Sequence, residues 1–373
     1  MEILGKELRF MKAEKIGKFE AICLMIIIIV NAIVLNIPNI IVLSTGSSAI
    51  INVIYVGAIA IAFSVILFKL FDKFSGKDIL DVSEYVGGKI LKLIVGTAFL
   101  VFFLILSIVA VRYLSSSIKI IYFNNSPFVY ILLFFIVPAV AVNKLGLKTV
   151  ACVNVVLIFI VIVSLLFLFI SSYKNFTISK MFPIFGNGLN ETFLIGSTNI
   201  IAFTNLAFLF LLPSLLKKTT DFKEVSIYSI IVSATILVFS IATLILTLPI
   251  VTESDEMLSI YLLTRMVEFG NFLERLDAFF IFAWIITLLS SLSISIFYII
   301  RFCSKMFNLQ DEKVLASPIG LIILGGCLLI KNYSQIKFLG VYIYRYGFIG
   351  LVFGIGLGIL VLANLKLKRK VKL

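Results

Sequence analysis

The sequence contains no histidine, which excludes Ser-His and Cys-His catalytic pairs and any metal site that needs an imidazole ligand. It has only four cysteines, and no two of them have C-x-x-C spacing. Cys23, Cys152 and Cys327 lie inside apolar runs, so we interpret them as small apolar residues rather than metal ligands or redox groups. A G-x-x-x-x-G-K-[ST] phosphate-binding loop is absent as well. We therefore expect a protein that is not an enzyme and holds no cofactor.

Charge is also scarce, since 14% of the 373 residues are charged and 61% are hydrophobic. Soluble domains carry roughly 25% charged residues, so this composition requires a lipid environment. The apolar segments each approach the 20 or so residues that cross about 30 Å of hydrocarbon as a helix. We predict an all-α integral membrane protein with ten spans, at residues 20–43, 49–71, 90–114, 126–142, 148–171, 191–216, 225–250, 273–303, 314–330 and 341–365.

The formal net charge of +13 is unevenly distributed between the predicted loops. With the N-terminus in the cytoplasm, 23 basic residues fall on the inner side and 8 on the outer side. Basic residues accumulate in cytoplasmic loops of membrane proteins, so the charge indicates membrane topology rather than nucleic-acid binding, with both termini cytoplasmic. No hydrophilic stretch is long enough to bury its own core. We predict one transmembrane domain over 1–373, divided into a basic tail (1–18), two five-helix repeats (19–171 and 191–365) and a basic C-terminal tail (366–373).

Spans 1 and 6 both carry amides and proline at membrane depth. Residues 31–39 read NAIVLNIPN, and the proline should open or kink the helix because it lacks a backbone donor. Interrupted helices at corresponding positions in two halves indicate an inverted-repeat transporter core with its binding site between them. The alternative is that these residues merely kink packed helices. The predicted ligand-binding residues in the two spans are Asn31, Asn36, Pro38, Asn199, Thr204 and Asn205.

Span 8 begins with a charged cluster of Glu274, Arg275 and Asp277. The two carboxylates are three residues apart and share a helix face, whereas the arginine points elsewhere. The cluster is either an outer gate or signalling ion pair, or an interfacial anchor. Further along the helix, the residues with matching spacing that could face a cavity are Trp284, Thr287 and Ser291.

Three segments resemble the spore germination permease family. They are residues 182–188 (FPIFGNG), residues 202–213 (AFTNLAFLFLLP) followed by Lys217 and Lys218, and residues 274–284 (ERLDAFFIFAW). That family comprises the B subunits of GerA-type nutrient germinant receptors, a branch of the amino acid/polyamine/organocation transporter superfamily. The resemblance implies a LeuT-like fold of five plus five helices with broken first and sixth helices.

The resemblance also implies a function in sensing an amino acid or similar small nutrient. The implied partners are the receptor's A subunit and its lipoprotein C subunit, in the inner membrane of the spore. Relatives usually have a glycine-rich turn, Gly-x-Gly-Ile-Leu-x-x-Pro, in span 1. Asn31 and Ile33 replace both of its glycines here, so side chains would crowd a ligand carboxylate that approaches the backbone.

Two classes of function remain. In the first, ligand binding shifts a conformational equilibrium that partner subunits sense. In the second, the chain is an H⁺- or Na⁺-coupled amino acid symporter. Proton coupling usually needs a carboxylate at membrane depth, and residues 20–250 place only Glu20 and Glu191 in predicted spans, both at span edges. This favours sensing and leaves open Na⁺ binding by carbonyls and hydroxyls.

Overall fold

The computed structural model describes residues 15–35, 37–247 and 277–371. Within these ranges the chain is almost entirely helical, as predicted from composition. Eight of its helical segments are long and apolar enough to cross a membrane. A further apolar segment, Lys313–Leu329, is shorter and corresponds to the predicted ninth span. The helices therefore account for a multi-pass membrane protein.

The observed spans follow the predicted order. The regular ones are span 1 (Lys18–Leu35 and Ile37–Thr45), span 2 (Ala49–Phe71), span 3 (Ile79–Ile121), span 4 (Phe128–Leu145), span 5 (Leu147–Ser172), span 7 (Phe222–Thr247), span 8 (Asp277–Phe307) and span 9 (Ala316–Leu329). Span 6 combines a π turn (Asn190–Leu194), a 3₁₀ helix (Ile195–Phe210) and a short α-helix (Leu212–Leu215). Span 10 combines α-helices (Tyr333–Tyr342 and Leu357–Val371) with π segments (Ile343–Gly347 and Ile349–Gly356).

Span 3 begins at Ile79, well before its predicted start at residue 90 and inside the predicted loop between spans 2 and 3. Asp78 caps it, because its Oδ1 accepts hydrogen bonds from the backbone nitrogens of Leu80 (3.1 Å) and Asp81 (3.2 Å). Asp81 Oδ2 accepts in return from the Asp78 backbone nitrogen at 3.2 Å, which completes a capping box. The backbone then departs from helical geometry at Gly87 and Gly88, and Gly88 has a φ of 71°. The charged residues before Gly87 thus form a short helix that the two glycines separate from the rest of span 3. Hydropathy alone did not predict this short helix.

Contacts between loops and span ends sort the molecule into two ends. Every such contact below joins segments that the alternating ten-span scheme places on the same side. At one end, which we call the inner end, the paired residues are Ile16 with Leu215, Lys18 with Glu224, Ser75 with Thr219, and Lys366 with Tyr85. At the other, the outer end, they are Thr45 with Asn187, Lys180 with Thr247, and Arg112 with Lys331. Which end faces the cytoplasm stays a prediction from the count of basic residues.

Span 8 lies at the centre of the helix packing. It contacts spans 1, 3, 4 and 5, and it is the most thoroughly buried of the candidate spans in the described part of the chain. Its two largest buried side chains, Trp284 and Tyr298, are 1% and 0% exposed. Buried serine hydroxyls accompany them, including Ser290 and Ser291. Span 8 therefore brings polar groups to the middle of an otherwise apolar core.

Candidate functional site

The irregular backbone of span 6 gives this helix two distinct polar faces. A 3₁₀ helix has about three residues per turn, so side chains three apart lie above one another. Asn199 and Asn205 consequently share one face, and Thr198 and Thr204 share the next. The backbone of Phe203 leaves helical geometry between them (φ −108°, ψ 24°). The interruption predicted in span 6 is thus present, and it lies in the segment that carries the predicted site residues.

The asparagine face of span 6 binds span 1 directly. Asn205 Nδ2 donates to the carbonyl oxygen of Ile28 at 2.6 Å, and the Asn205 side chain is only 4% exposed. A buried amide that bonds to the backbone of a neighbouring helix fixes the relative position of the two helices, because leaving it unpaired costs about 1–3 kcal/mol. This contact sets the distance between spans 1 and 6 at the level of the Phe203 irregularity.

Span 1 meets span 8 through Asn31 and Ser291. Asn31 Nδ2 donates to Ser291 Oγ at 3.2 Å, and the asparagine is 3% exposed. Within the described ranges, Asn31 Oδ1 has no hydrogen-bond partner, and neither does the buried hydroxyl of Ser290, the residue before Ser291 in span 8. Buried acceptors are rarely left unpaired, and in the same ranges the Oδ1 atoms of Asn143 and Asn154 are unpaired as well. Asn31 differs from Asn154 in lying on span 1, which packs against both span 6 and span 8, and in bonding to another helix. It can accept a hydrogen bond from a ligand.

The threonine face of span 6 meets the π segment of span 10. Thr204 Oγ1 donates to the carbonyl oxygen of Ile201 at 2.5 Å and lies 3.5 Å from that of Tyr344. One residue further, an NH₂ group of Arg345 donates to Thr198 Oγ1 at 2.6 Å. Span 10 therefore forms a third wall beside spans 1 and 6.

The remaining predicted residues of span 8 are buried. Trp284 is 1% exposed and Thr287 is fully buried. The hydroxyl of Thr287 donates to the Trp284 carbonyl oxygen at 2.8 Å, so its hydrogen is used within its own helix. This leaves the Thr287 oxygen as an acceptor only.

The structure places the other predicted site residues as follows. Asn199 Nδ2 bonds to Ser44 Oγ (3.0 Å) and Asn52 Oδ1 (2.8 Å), so it lies in a polar network toward the outer end rather than at the Asn31–Ser291 contact. Pro38 is buried within Ile37–Thr45. Asn36, Glu274 and Arg275 lie outside the described residues, and so does the side chain of Asp277, the first residue of span 8. The predicted break before Pro38 and the predicted gating cluster stay predictions.

The outer network explains one of the sequence segments singled out above. Asn52 Nδ2 donates to the carbonyl oxygens of Thr192 (2.7 Å) and Gly196 (2.9 Å), and the Ser48 and Thr192 hydroxyls are 2.7 Å apart. Residues 182–188 lie over this network, since Ser47 Oγ donates to the carbonyl oxygen of Pro183. Gly186 has a φ of 50°, and a Cβ there would collide with the Thr45 carbonyl oxygen. The glycine thus allows the segment to bind the turn between spans 1 and 2.

The inner end is held by backbone bonds and charge pairs. The Ile16 nitrogen donates to the Leu215 carbonyl oxygen at 2.9 Å, and the Lys217 nitrogen donates to the Ile16 carbonyl oxygen at 3.0 Å. Lys305 of span 8 forms ion pairs with Asp78, which is fully buried, and with Asp81 at 2.8 Å. These contacts join the segment before span 1 to the end of span 6, and span 8 to the cap of span 3, at the inner end.

Aromatic rings fill the space between this inner end and the site. The Phe103 and Phe208 ring centroids are 4.4 Å apart, and those of Phe208 and Tyr298 are 4.7 Å apart. Phe99 stacks on Phe302 at 5.5 Å. The polar site is therefore separated from the inner end by packed rings from spans 3, 6 and 8.

Sequence reasoning missed Arg345 and the carbonyl oxygen of Ile28. A backbone acceptor has no sequence signal. Arg345 did have one, because it falls inside the predicted tenth span, and an ionisable residue within a span is by default a candidate functional residue. Counting it among the outer loop charges concealed that signal.

Comparisons with known proteins agree with this architecture. A family model described as spore germination protein matches residues 15–336. The chain is 23% identical over 340 residues to the spore germination protein YndE of Bacillus subtilis strain 168, across 89% of this chain and 92% of that protein. These relatives are germination proteins of the permease type and not enzymes, which confirms the expectation of a non-enzymatic protein.

Solved transporters have a similar fold. A Na⁺-coupled sialic acid symporter in a substrate-bound, outward-open state matches with a TM-score of 0.67 at 12% identity, over 92% of this chain and 80% of that chain. A mutant of the Eremococcus coleocola manganese transporter matches with a TM-score of 0.63 at 12% identity, over 94% and 81% of the two chains. Likeness at this identity concerns the fold, which is LeuT-like as expected from the resemblance. The chain is thus a multi-pass membrane protein that belongs to the spore germination permease family.

Proposed function

We propose that this chain is the nutrient-sensing subunit of a spore germinant receptor. A small nutrient, such as an amino acid, binds between spans 1, 6 and 8 beside Asn31 and Ser291. Its binding changes how these spans are arranged, and partner subunits respond to that change. The proposal combines the family, which concerns germination, with a polar site built on a transporter fold.

The observation that carries the proposal is the state of Asn31. Its amide nitrogen bonds to span 8, while its buried oxygen has no partner in the described part of the chain. An unpaired buried acceptor costs about 1–3 kcal/mol, and a ligand that donates a hydrogen bond would remove this cost. The donor Asn31 lies on span 1 and its acceptor Ser291 lies on span 8. A ligand that pairs with Asn31 therefore stabilises one arrangement of these two spans over another.

Transport by the chain itself is the second candidate. Two of the structurally similar proteins are named as transporters, one of them Na⁺-coupled. Spans 1, 6 and 8 place no carboxylate beside Asn31 in the ranges that the structure describes; Glu20 and Glu191 lie near helix starts. The usual group for proton coupling at membrane depth is therefore not found beside the site, which favours sensing.

The implied partners are an A subunit and a lipoprotein C subunit of the receptor, and the implied location is the inner membrane of the spore. With both termini on the spore core side, the inner end described above would face the core. The excess of basic residues in the loops of that end supports this orientation.

Germination of spores that carry single substitutions tests the site. Asn31→Leu and Asn205→Leu, together with Asn36→Leu, should raise or lower the nutrient concentration needed for response by about tenfold or more, which corresponds to roughly 1.4 kcal/mol. Receptor assembly should persist. The matched control is Asn154→Leu, because Asn154 is equally buried but its nitrogen bonds to the Val150 carbonyl oxygen of its own helix at 2.7 Å.

Two results would contradict the proposal. If all three variants respond like the parent at every concentration, the ligand binds elsewhere. If vesicles that contain only this chain accumulate labelled amino acid when a Na⁺ or H⁺ gradient is applied, the symporter is the correct function.

A further inference from the structure

Arg345 is a charged residue within span 10 whose position the proposed function does not explain. It lies in the π segment Ile343–Gly347 and is half-buried. The wide turns of a π segment rotate the residues that follow relative to an α-helix, and such segments are frequent at functional sites. Here the segment presents Tyr344 and Arg345 to the threonine face of span 6.

The hydroxyl of Thr198 holds the arginine in place. Thr198 Oγ1 accepts from Arg345 at 2.6 Å and donates its own hydrogen to the Ile195 carbonyl oxygen at 2.8 Å. The hydroxyl therefore has no hydrogen left for a ligand. Guanidinium has five N–H donors, and this contact uses one of them.

Arg345 has no counter-ion in the part of the chain that the structure describes. The ion pairs found there involve Lys18, Lys92, Arg301 and Lys305 and not Arg345. A cation inside a membrane protein is costly unless an anion accompanies it. The free N–H groups of a guanidinium match the two oxygens of a carboxylate in a bidentate arrangement.

The position of Arg345 relative to the rest of the site limits what can reach it. Thr198 and Thr204 are six residues apart in a 3₁₀ helix, which is about 12 Å along the axis at roughly 2 Å per residue. Arg345 therefore lies toward the outer end, while the Asn205–Ile28 contact and Asn31 lie deeper. We therefore expect a molecule that enters from the outer end to meet the guanidinium before it reaches Asn31.

From these observations we propose that Arg345 binds a carboxylate of the nutrient and that Thr198 positions the arginine. The inference rests on the proposed ligand-binding function and specifies its ligand class. The nutrient carries a carboxylate, which pairs with Arg345, and a hydrogen-bond donor, which reaches Asn31 Oδ1. Amino acids and hydroxy acids have both groups, whereas sugars and nucleosides lack the carboxylate.

The test compares amino acids with their amides, in which an uncharged carboxamide replaces the carboxylate, on the purified, detergent-solubilised full chain. The probes are the twenty amino acids, L-lactate, glucose and inosine, with L-alaninamide, L-valinamide and L-leucinamide as matched amides. Two readouts are available: the thermal unfolding midpoint, and the emission of Trp284, which is the only tryptophan of the chain. We expect at least one carboxylate to bind the parent protein at least tenfold more tightly than its amide.

Variants then assign this discrimination to Arg345. Arg345→Gln should reduce the preference for carboxylate over amide to less than about threefold, Arg345→Lys should retain part of it, and Thr198→Val should weaken it. The control is Arg112→Gln, since Arg112 lies at the same end and contacts the Lys331 carbonyl oxygen and the Phe128 ring instead. That variant should keep the full preference. Arg345→Lys and Thr198→Val keep the test informative if the glutamine variant does not fold.

The possible failures are distinguishable. If a carboxylate binds and its preference over the amide is unchanged in Arg345→Gln, Arg345 does not bind it. If only probes without a carboxylate bind, and Asn31→Leu abolishes that binding, the proposed function holds and the inference fails. If no probe binds the parent protein, both are overturned.

Discussion

The ion pairs of Lys305 allow a quantitative prediction about the inner end. Lys305 of span 8 is the shared partner of Asp78 and Asp81, and the exposed side-chain fractions are 18%, 0% and 32% respectively. Removing one member of a buried pair costs about 3–5 kcal/mol, because the remaining charge is left in a medium of low polarity. Since Lys305 is partly exposed, we expect Lys305→Met to lower the free energy of unfolding by about 3 kcal/mol.

The two carboxylates should behave differently from the lysine. Asp78→Asn should lower the free energy of unfolding by only about 1 kcal/mol, because asparagine caps a helix as well as aspartate does and Lys305 keeps its ion pair with Asp81. The double variant Lys305→Met/Asp78→Asn should recover at least half of the stability lost in Lys305→Met, since it no longer buries an unpaired carboxylate. Denaturant titration in mixed micelles measures these differences. Lys313→Met is the control, because Lys313 is exposed and forms no ion pair in the described ranges.

The pH dependence of the same variant has a defined sign. Burial raises the pKa of the Asp78 carboxyl above its ordinary value, and the Lys305 ammonium opposes that rise. Without the lysine, the folded-state pKa rises further above the unfolded value. The folded state then binds more protons than the unfolded state, so stability falls as pH increases through this range. The loss of unfolding free energy caused by Lys305→Met should therefore be smaller at acidic pH. A deficit that grows on acidification, or a double variant no more stable than Lys305→Met, would refute the reasoning.

Two further predictions concern topology and the start of span 8. After replacement of the native cysteines, single cysteines at Ser75 and Thr220 should be labelled from the core side and one at Phe176 from the opposite side; labelling of Ser75 and Phe176 from one side would overturn the ten-span scheme. If Glu274 and Arg275 take part in cross-helix ion pairs that set the resting equilibrium, spores with Glu274→Gln or Arg275→Gln should germinate spontaneously or fail to respond. Unchanged germination thresholds in both variants would exclude that pairing.

Much of this architecture could be predicted from sequence because lipid imposes simple constraints. Apolar length gave the spans, and amides near proline marked the irregular span 6. Contacts between segments far apart in the sequence could not be predicted from such patterns. The role of Asn199 in ligand binding stays a prediction, and the sequence did not show that its nitrogen bonds to Ser44 and Asn52. Likewise, hydropathy does not reveal that Asp78 begins a helix, because the capping box depends on side-chain hydrogen bonds.

The family resemblance contributed what periodicity could not. It implied a LeuT-like fold, whereas the residues alone supported only an inverted-repeat core. The choice of 3₁₀ geometry in span 6 had no local signal, since Ile195–Phe210 contains ordinary apolar residues with a few polar ones. The 3₁₀ segment instead makes hydrogen bonds to other spans, from Asn205 to the Ile28 carbonyl oxygen and from Thr204 to the Tyr344 carbonyl oxygen.

The 3₁₀ helix of span 6 has a consequence for how far this segment can change length. At the ideal 3₁₀ rise of roughly 2.0 Å per residue its 16 residues would extend over about 32 Å, whereas an α-helix of the same residues would extend over about 24 Å. Rewinding to α geometry would also turn Asn199 and Asn205 about 120° away from each other, because six residues then complete about one and two-thirds turns. Asn199 and Asn205 could then no longer both keep their hydrogen bonds to Ser44 and Ile28 of span 1. We therefore expect these hydrogen bonds to favour the extended form of span 6, and their loss to favour an axial shortening of up to about 8 Å.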